Sequence, residues 1–246
     1  MRNIKLTIEY DGGGFCGWQV QPNGTSVQEV VEKAIAKMTR EKIRITGASR
    51  TDAGVHALAQ VANFRTKTKI PCKGLLMGMN SLLPGGVVVK KAEDVGLDFH
   101  SKRDSKKKHY RYIILNGTIR PALGRGLLWH RRGSLDLKAM RRAAKVIVGT
   151  HDFTSFCASD DANKTKVRKI LSIKISKKVL PILGKKAVMI DIVGNGFLKY
   201  MVRNIVGTLV DPGKSAHMKE ILDARDRKKA GVTAPACGLY LVEITY

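Results

Sequence analysis

Ile4-Lys5-Leu6-Thr7-Ile8-Glu9-Tyr10 alternates apolar and polar residues, and Ser26-Val27-Gln28-Glu29-Val30-Val31 starts a second pattern with a different period. Alternation at period two predicts a strand with one face buried. A turn follows at Gly12-Gly13-Gly14, and Ser26 then stands three residues before Glu29, the pairing of a helix capping box. Val27, Val30, Val31, Ala34, Ile35 and Met38 keep the i, i+3, i+4 spacing of a helix with one apolar face. A strand followed by a one-sided helix calls for a sheet to receive that face.

Further along the chain, short strands are predicted over residues 43–46 and 60–65, separated by a turn at Asp52-Ala53-Gly54. A helix over 75–82 stops at Pro84-Gly85-Gly86, and strands follow at 87–91 and 110–115. Asp136 reads as the N-cap of a helix carrying Leu137, Met140, Ala144, Ile147 and Val148. Residues 167–176 and 187–193 read as a hairpin turning at Gly184, 197–210 as a helix, and 239–245 as a closing strand. No Gly-x-Gly-x-x-Gly leads a helix, so a parallel dinucleotide-binding sheet is excluded.

The fold class read from this is α+β. Two similar RRM-like or ferredoxin-like modules have antiparallel sheets joined side by side, with helices on one face and the other face free for RNA. The division is set near Asp104, giving modules 1–104 and 105–246 across the charged run Lys102-Arg103-Asp104-Ser105-Lys106-Lys107-Lys108.

Charge narrows the function. The 246 residues hold 45 Lys and Arg against 20 Asp and Glu, a formal net charge of +25. A surplus of this size repels itself in a compact chain and points to a polyanion, in the first place nucleic acid. It is uneven: the first hundred residues carry 14 basic and 9 acidic side chains, the remainder 31 and 11. The second module should supply most of the electrostatic footprint. Cys16, Cys72, Cys157 and Cys237 are scattered, with no Cys-x-x-Cys pair or histidine at metal-ligand spacing, so no zinc or other metal site is expected. No apolar run approaches the length of a membrane span, and the start lacks a signal-peptide core, so a cytoplasmic protein with no membrane partner is expected.

One segment carries the chemistry: Gly47-Ala48-Ser49-Arg50-Thr51-Asp52-Ala53-Gly54-Val55-His56-Ala57. By itself, Asp before Ala-Gly is a turn residue. Arg50, two residues earlier, reaches the same side if the backbone is extended and would keep the Asp52 carboxylate ionised under a bound substrate. That suits a carboxylate nucleophile and equally an ordinary ion pair.

Residues 49–57 resemble the active-site signature G-R-T-D-A-G-V-H-A of the TruA family of tRNA pseudouridine synthases, departing only at Ser49. The likeness runs the length of the chain. Tyr10-Asp11-Gly12, Phe15-Cys16-Gly17-Trp18-Gln19 and Gln21-Pro22-Asn23-Gly24 are similar to the family's opening. Asn80-Ser81-Leu82-Leu83-Pro84, His151-Asp152-Phe153-Thr154-Ser155-Phe156, Met201-Val202-Arg203-Asn204-Ile205-Val206-Gly207 and Gly238-Leu239-Tyr240-Leu241 resemble its later motifs.

The resemblance implies a cofactor-free isomerase. It breaks the N1–C1′ bond of uridine, turns the uracil and joins C5 to C1′, after flipping the base from its stack. Asp52 would attack covalently, at C6 of the base or C1′ of the sugar. The resemblance puts the catalytic cleft between the modules, with Arg50 and Arg203 flanking Asp52. Tyr110, first of Tyr110-Arg111-Tyr112, would bind the uracil and is a candidate general base. His56 and Thr51 look structural, and the loop 157–166 is open between an RNA clamp and an ordinary hairpin loop. The family further implies the anticodon stem-loop of tRNA as substrate and a homodimer. A non-catalytic RNA-binding module is the alternative; it accounts for the charge but not for Arg50-Thr51-Asp52 together with Arg203, and the chain has no RNP1-like run.

Overall fold

Ile4, Leu6, Ile8 and Tyr10 are each no more than 3% exposed, and the strand they define runs from Arg2 to Tyr10. The computed structural model describes residues 1–246, the side chain of residue 182 excepted. In chain order the elements are β1 (Arg2–Tyr10), α1 (Val27–Thr39), β2 (Thr46–Gly47), β3 (His56–Thr66), α2 (Cys72–Leu82), β4 (Val87–Val95), β5 (Lys107–Asn116) and β6 (Trp129–Arg131). They continue with α3 (Leu137–Val146), β7 (Gly149–Asp152), β8 (Val167–Leu180), β9 (Lys185–Gly194), α4 (Met201–Leu209), α5 (Pro212–Ser215), α6 (Met218–Ala224) and β10 (Leu239–Thr245). The class is α+β.

The chain forms two compact units, residues 1–106 with 240–246, and residues 107–239. In the first, β4, β1 and β3 pair antiparallel in that order. β2 pairs antiparallel with β3, and β10 lies parallel to β3 through Tyr240↔His56 and Leu241↔Ala57. Ser26 Oγ accepts the Glu29 amide at 3.2 Å, starting α1 as its capping pattern predicts. Val27, Val31 and Ile35 of α1, with Leu75 and Met79 of α2, are fully buried.

In the second unit, β5, β9, β8 and β7 form an antiparallel sheet, with β6 parallel to β5. The β8–β9 hairpin turns at Gly184, whose φ of +59° lies in the left-handed region, and it pairs Ile175 with Ile190. Asp136 Oδ1 accepts the amides of Lys138 and Ala139 and so caps α3, which packs on β8.

Three sequence expectations shift. A division near Asp104 leaves the closing strand with the second module; in the structure residues 240–246 group with the first unit, because β10 pairs with β3. The strand expected over 43–46 is reduced to Thr46–Gly47. The helix expected from residue 197 begins at Met201, because Tyr200 adopts φ 61° and ψ 0°. No helix among the described residues is long and apolar enough to cross a membrane.

Candidate active site

Asp52 stands between β2 and β3, in a segment fixed by backbone bonds on both sides. The Ala48 amide donates to Val61 O at 2.8 Å. The buried Gln60 amide side chain clasps Ser49, accepting from its N–H at 3.3 Å and donating to its carbonyl at 2.6 Å. Thr51 is held at both ends: its carbonyl accepts the Trp18 amide at 3.1 Å, and its hydroxyl lies 2.7 Å from the Tyr10 hydroxyl. The Val55 amide then returns to Asp52 O at 3.1 Å, closing a turn in which Gly54 takes φ +77°.

The loop following β1 closes over this segment. Gly17 has φ +106°, and a Cβ there would stand 2.6 Å from Thr51 O. The position therefore excludes a side chain both by conformation and by space. His56 is 1% exposed, its Nδ1 accepts the Gly12 amide at 3.0 Å, and its ring stacks on Tyr240 at 4.8 Å. These contacts join β3 to the turn at Gly12. The result is a half-buried carboxylate on a backbone with little freedom. Arg50 is exposed and makes no ion pair among the described residues.

The second unit holds the other sequence-predicted residues. Tyr110 on β5 is 5% exposed, lies opposite Ile192 and meets the Phe197 ring edge-on at 5.2 Å. Tyr112, two residues on, is fully buried. Its hydroxyl donates to Pro235 O at 2.6 Å, its ring meets Trp129 edge-on, and burial pushes its phenol well above the ordinary tyrosine range. One tyrosine of the pair is thus bound to its own unit through its hydroxyl, as a core tyrosine needs.

Arg203 is half-buried on α4. Its Nε donates to Ala234 O at 2.7 Å, its carbonyl accepts the Ala234 amide at 3.2 Å, and its guanidinium carbon lies 4.9 Å from the centre of the Tyr200 ring. The neighbouring Asn204 is fully buried and satisfied: Nδ2 donates to Phe156 O, while Oδ1 accepts from Arg227 and Thr233. Gln60 and Tyr200, which help place these segments, stand out in no sequence motif; Trp18 and Asn204 stand within motifs of the likeness without a role assigned to them. Asn204 does leave a signal in the sequence, an amide among the apolar residues of α4 that must find partners when buried.

A family model described as tRNA pseudouridine synthase matches residues 6–103 and 143–246. Proteins called tRNA pseudouridine synthase A from Thermoanaerobacter sp. (strain X514), Pelobacter propionicus and Acetivibrio thermocellus are each 45% identical to this chain over 250 residues. The matches cover 100% of this chain and 100% of each relative. Among solved structures, a Cbf5–Nop10–Gar1 complex gives a TM-score of 0.43 at 14% identity over 97% of this chain and 48% of that one, too slight a likeness to add to the argument. The full-length identity and the two-part match agree: the chain belongs to the tRNA pseudouridine synthase A family, a family of isomerases.

Proposed function

We propose that this enzyme flips uridines at about positions 38 to 40 of the tRNA anticodon stem-loop out of the stack and isomerises them through a covalent bond to Asp52. The observation that carries the reading is the fixed backbone around Asp52, bonded through Gln60, Trp18 and Tyr10 on one side and Val55 on the other. A nucleophile held this way meets its target without first losing conformational freedom. The bond it forms splits one C–N to C–C exchange into smaller steps and keeps the detached uracil from leaving. When C5 joins C1′, the C5 proton leaves to a base and N1 takes one up.

Tyr110 is assigned to the uracil, its ring for stacking and its hydroxyl for moving the C5 proton. Arg203 is assigned to the Asp52 carboxylate and to the space left in the stem by the flipped base; Arg50, exposed and outside any ion pair among the described residues, is assigned to that carboxylate once bound substrate covers it. The same reading includes a cytoplasmic homodimer, which light scattering of the purified protein tests.

The deciding experiment incubates the protein with a transcribed tRNA and no added cofactor, then maps pseudouridine. Product confined to the 3′ side of the anticodon stem-loop is expected. Product elsewhere overturns the choice of site, and tRNA binding without product favours the RNA-binding module.

A further inference from the structure

The turn before α4 is strained in a way that its helix does not require. Tyr200 is the N-cap of α4 and sits in the left-handed region, at φ 61° and ψ 0°. An ordinary N-cap is extended and offers a side-chain oxygen to the first amides. Tyr200 does neither, and its side chain makes no cap bond. Left-handed backbone is unfavourable for an aromatic residue and free of strain for glycine. Such a conformation persists where the surroundings over-determine it.

The surroundings here are specific. The Lys199 amide donates to Asp161 Oδ2 at 2.8 Å, and the Lys199 carbonyl accepts the Ala158 amide at 3.0 Å. Asp161 is itself pinned, its Oδ1 accepting from the Asn163 amide, Asn163 Nδ2 and Lys166 Nζ. Burial pushes its carboxyl upward, but these bonds outweigh burial and hold it well below the usual carboxylate range. On the helix side, the Tyr200 carbonyl accepts the Asn204 amide at 2.9 Å.

What the turn delivers is an aromatic ring beside Arg203. The guanidinium carbon lies 4.9 Å from the ring centre, within the range of a cation–π contact, while Nε donates to Ala234 O. The carbonyl fixes one edge of the guanidinium and the ring constrains its plane. We propose that Tyr200 is a positioning residue for Arg203, and that the loop 157–166 straps it in place through Asp161. The proposal rests on the reading of Arg203 as part of the active site.

Single-turnover rates at saturating tRNA, tRNA dissociation constants and melting temperatures test it together. Tyr200→Gly removes both ring and strain. Its rate should fall by about ten-fold, which corresponds to about 1.4 kcal/mol in the barrier, with tRNA affinity within about two-fold and a melting temperature near the parent's, because relief of the left-handed strain offsets the freedom that glycine adds to the unfolded chain. Tyr200→Phe keeps the ring and should recover most of the rate. Asp161→Ala should slow the enzyme in the same sense and add little on top of Tyr200→Gly. A Tyr200→Gly variant at the parent rate overturns the proposal. So does a rate loss matched by weaker tRNA binding or a lower melting point, and additive losses remove Asp161 from it. Arg203→Ala separates the underlying reading: if that variant turns over normally, the assignment of Arg203 fails, whatever Tyr200 does.

Discussion

Asp52 and Arg203 are held by different means. In the first unit, the segment around Asp52 is gripped mainly through its backbone, by the Trp18 amide, the Gln60 side-chain amide and a glycine with no room for a side chain. In the second, Arg203 is placed through its own side chain, between the Ala234 carbonyl and the Tyr200 ring. The two regions should therefore fail differently under mutation.

The largest effect is expected where the chemistry itself is removed. Asp52→Asn keeps the shape and every backbone bond but has no nucleophilic carboxylate. Turnover should fall on the order of 10⁴-fold or more, the scale seen when a covalent nucleophile is lost, with tRNA binding unchanged. Turnover by the purified variant near the parent rate would sink the assignment and with it the comparison.

Backbone grip is tested next, with two left-handed glycines. Gly17→Ala meets both φ +106° and the Thr51 carbonyl. It should destabilise by more than about 2 kcal/mol and slow turnover at least about ten-fold, because Thr51 precedes Asp52. Gly184→Ala, at φ +59° in open space on the β8–β9 turn, should cost about 1 kcal/mol and leave the rate within about two-fold. Denaturant unfolding and single-turnover assays read both. Equal effects on rate would mean that the grip on Thr51 is irrelevant.

Side-chain roles divide the tyrosine pair of β5. Tyr112→Phe leaves the Pro235 carbonyl without its donor and should cost about 1–3 kcal/mol of stability with little change in the chemical step. Tyr110→Phe should lose rate after covalent attack while melting and binding stay near the parent values. If Tyr112→Phe proves the more damaging to the chemical step, Tyr110 returns to being a core tyrosine beside Phe197.

The same contrast decides what is legible in the sequence. Periodicity and caps locate β1, α1, α3 and the β8–β9 hairpin, because each is set by local pattern: alternation in Ile4 to Tyr10, Ser26 with Glu29, Asp136, Gly184. The start of α4 lies four residues beyond its expected place because a tyrosine in left-handed backbone has no local signature; contacts from Asp161, far away in sequence, impose it. The grouping of β10 with the first unit is likewise a long-range pairing that no window contains. Asp52 is legible through a nine-residue likeness, whereas its support is not: Gln60 looks like any strand amide, and Trp18, though it stands in a motif of the likeness, shows its hold on Thr51 only once the chain is folded.

The smallest expected effect concerns the basic surface. Lys177, Lys178, Lys185 and Lys186 are exposed on the β8–β9 hairpin, where the register pairs Val179 with Lys186 and Leu180 with Lys185. Alternation then puts Lys177 and Lys186 on one face and Lys178 and Lys185 on the other. If tRNA lies against the hairpin, it can touch only one face closely. Removing one lysine–phosphate pairing lowers the log–log salt slope by about 0.7–0.9. Changing one pair to glutamine should thus lower the slope by about 1 to 2, and the other pair should leave it within error. The matching change of Lys37 and Lys73, both exposed in the first unit with its small surplus, should do nothing. Equal, shallow losses from all three pairs would mean that the +25 charge acts as a diffuse field rather than through individual phosphates. The two units would then differ in how they hold their side chains but not in how they meet tRNA.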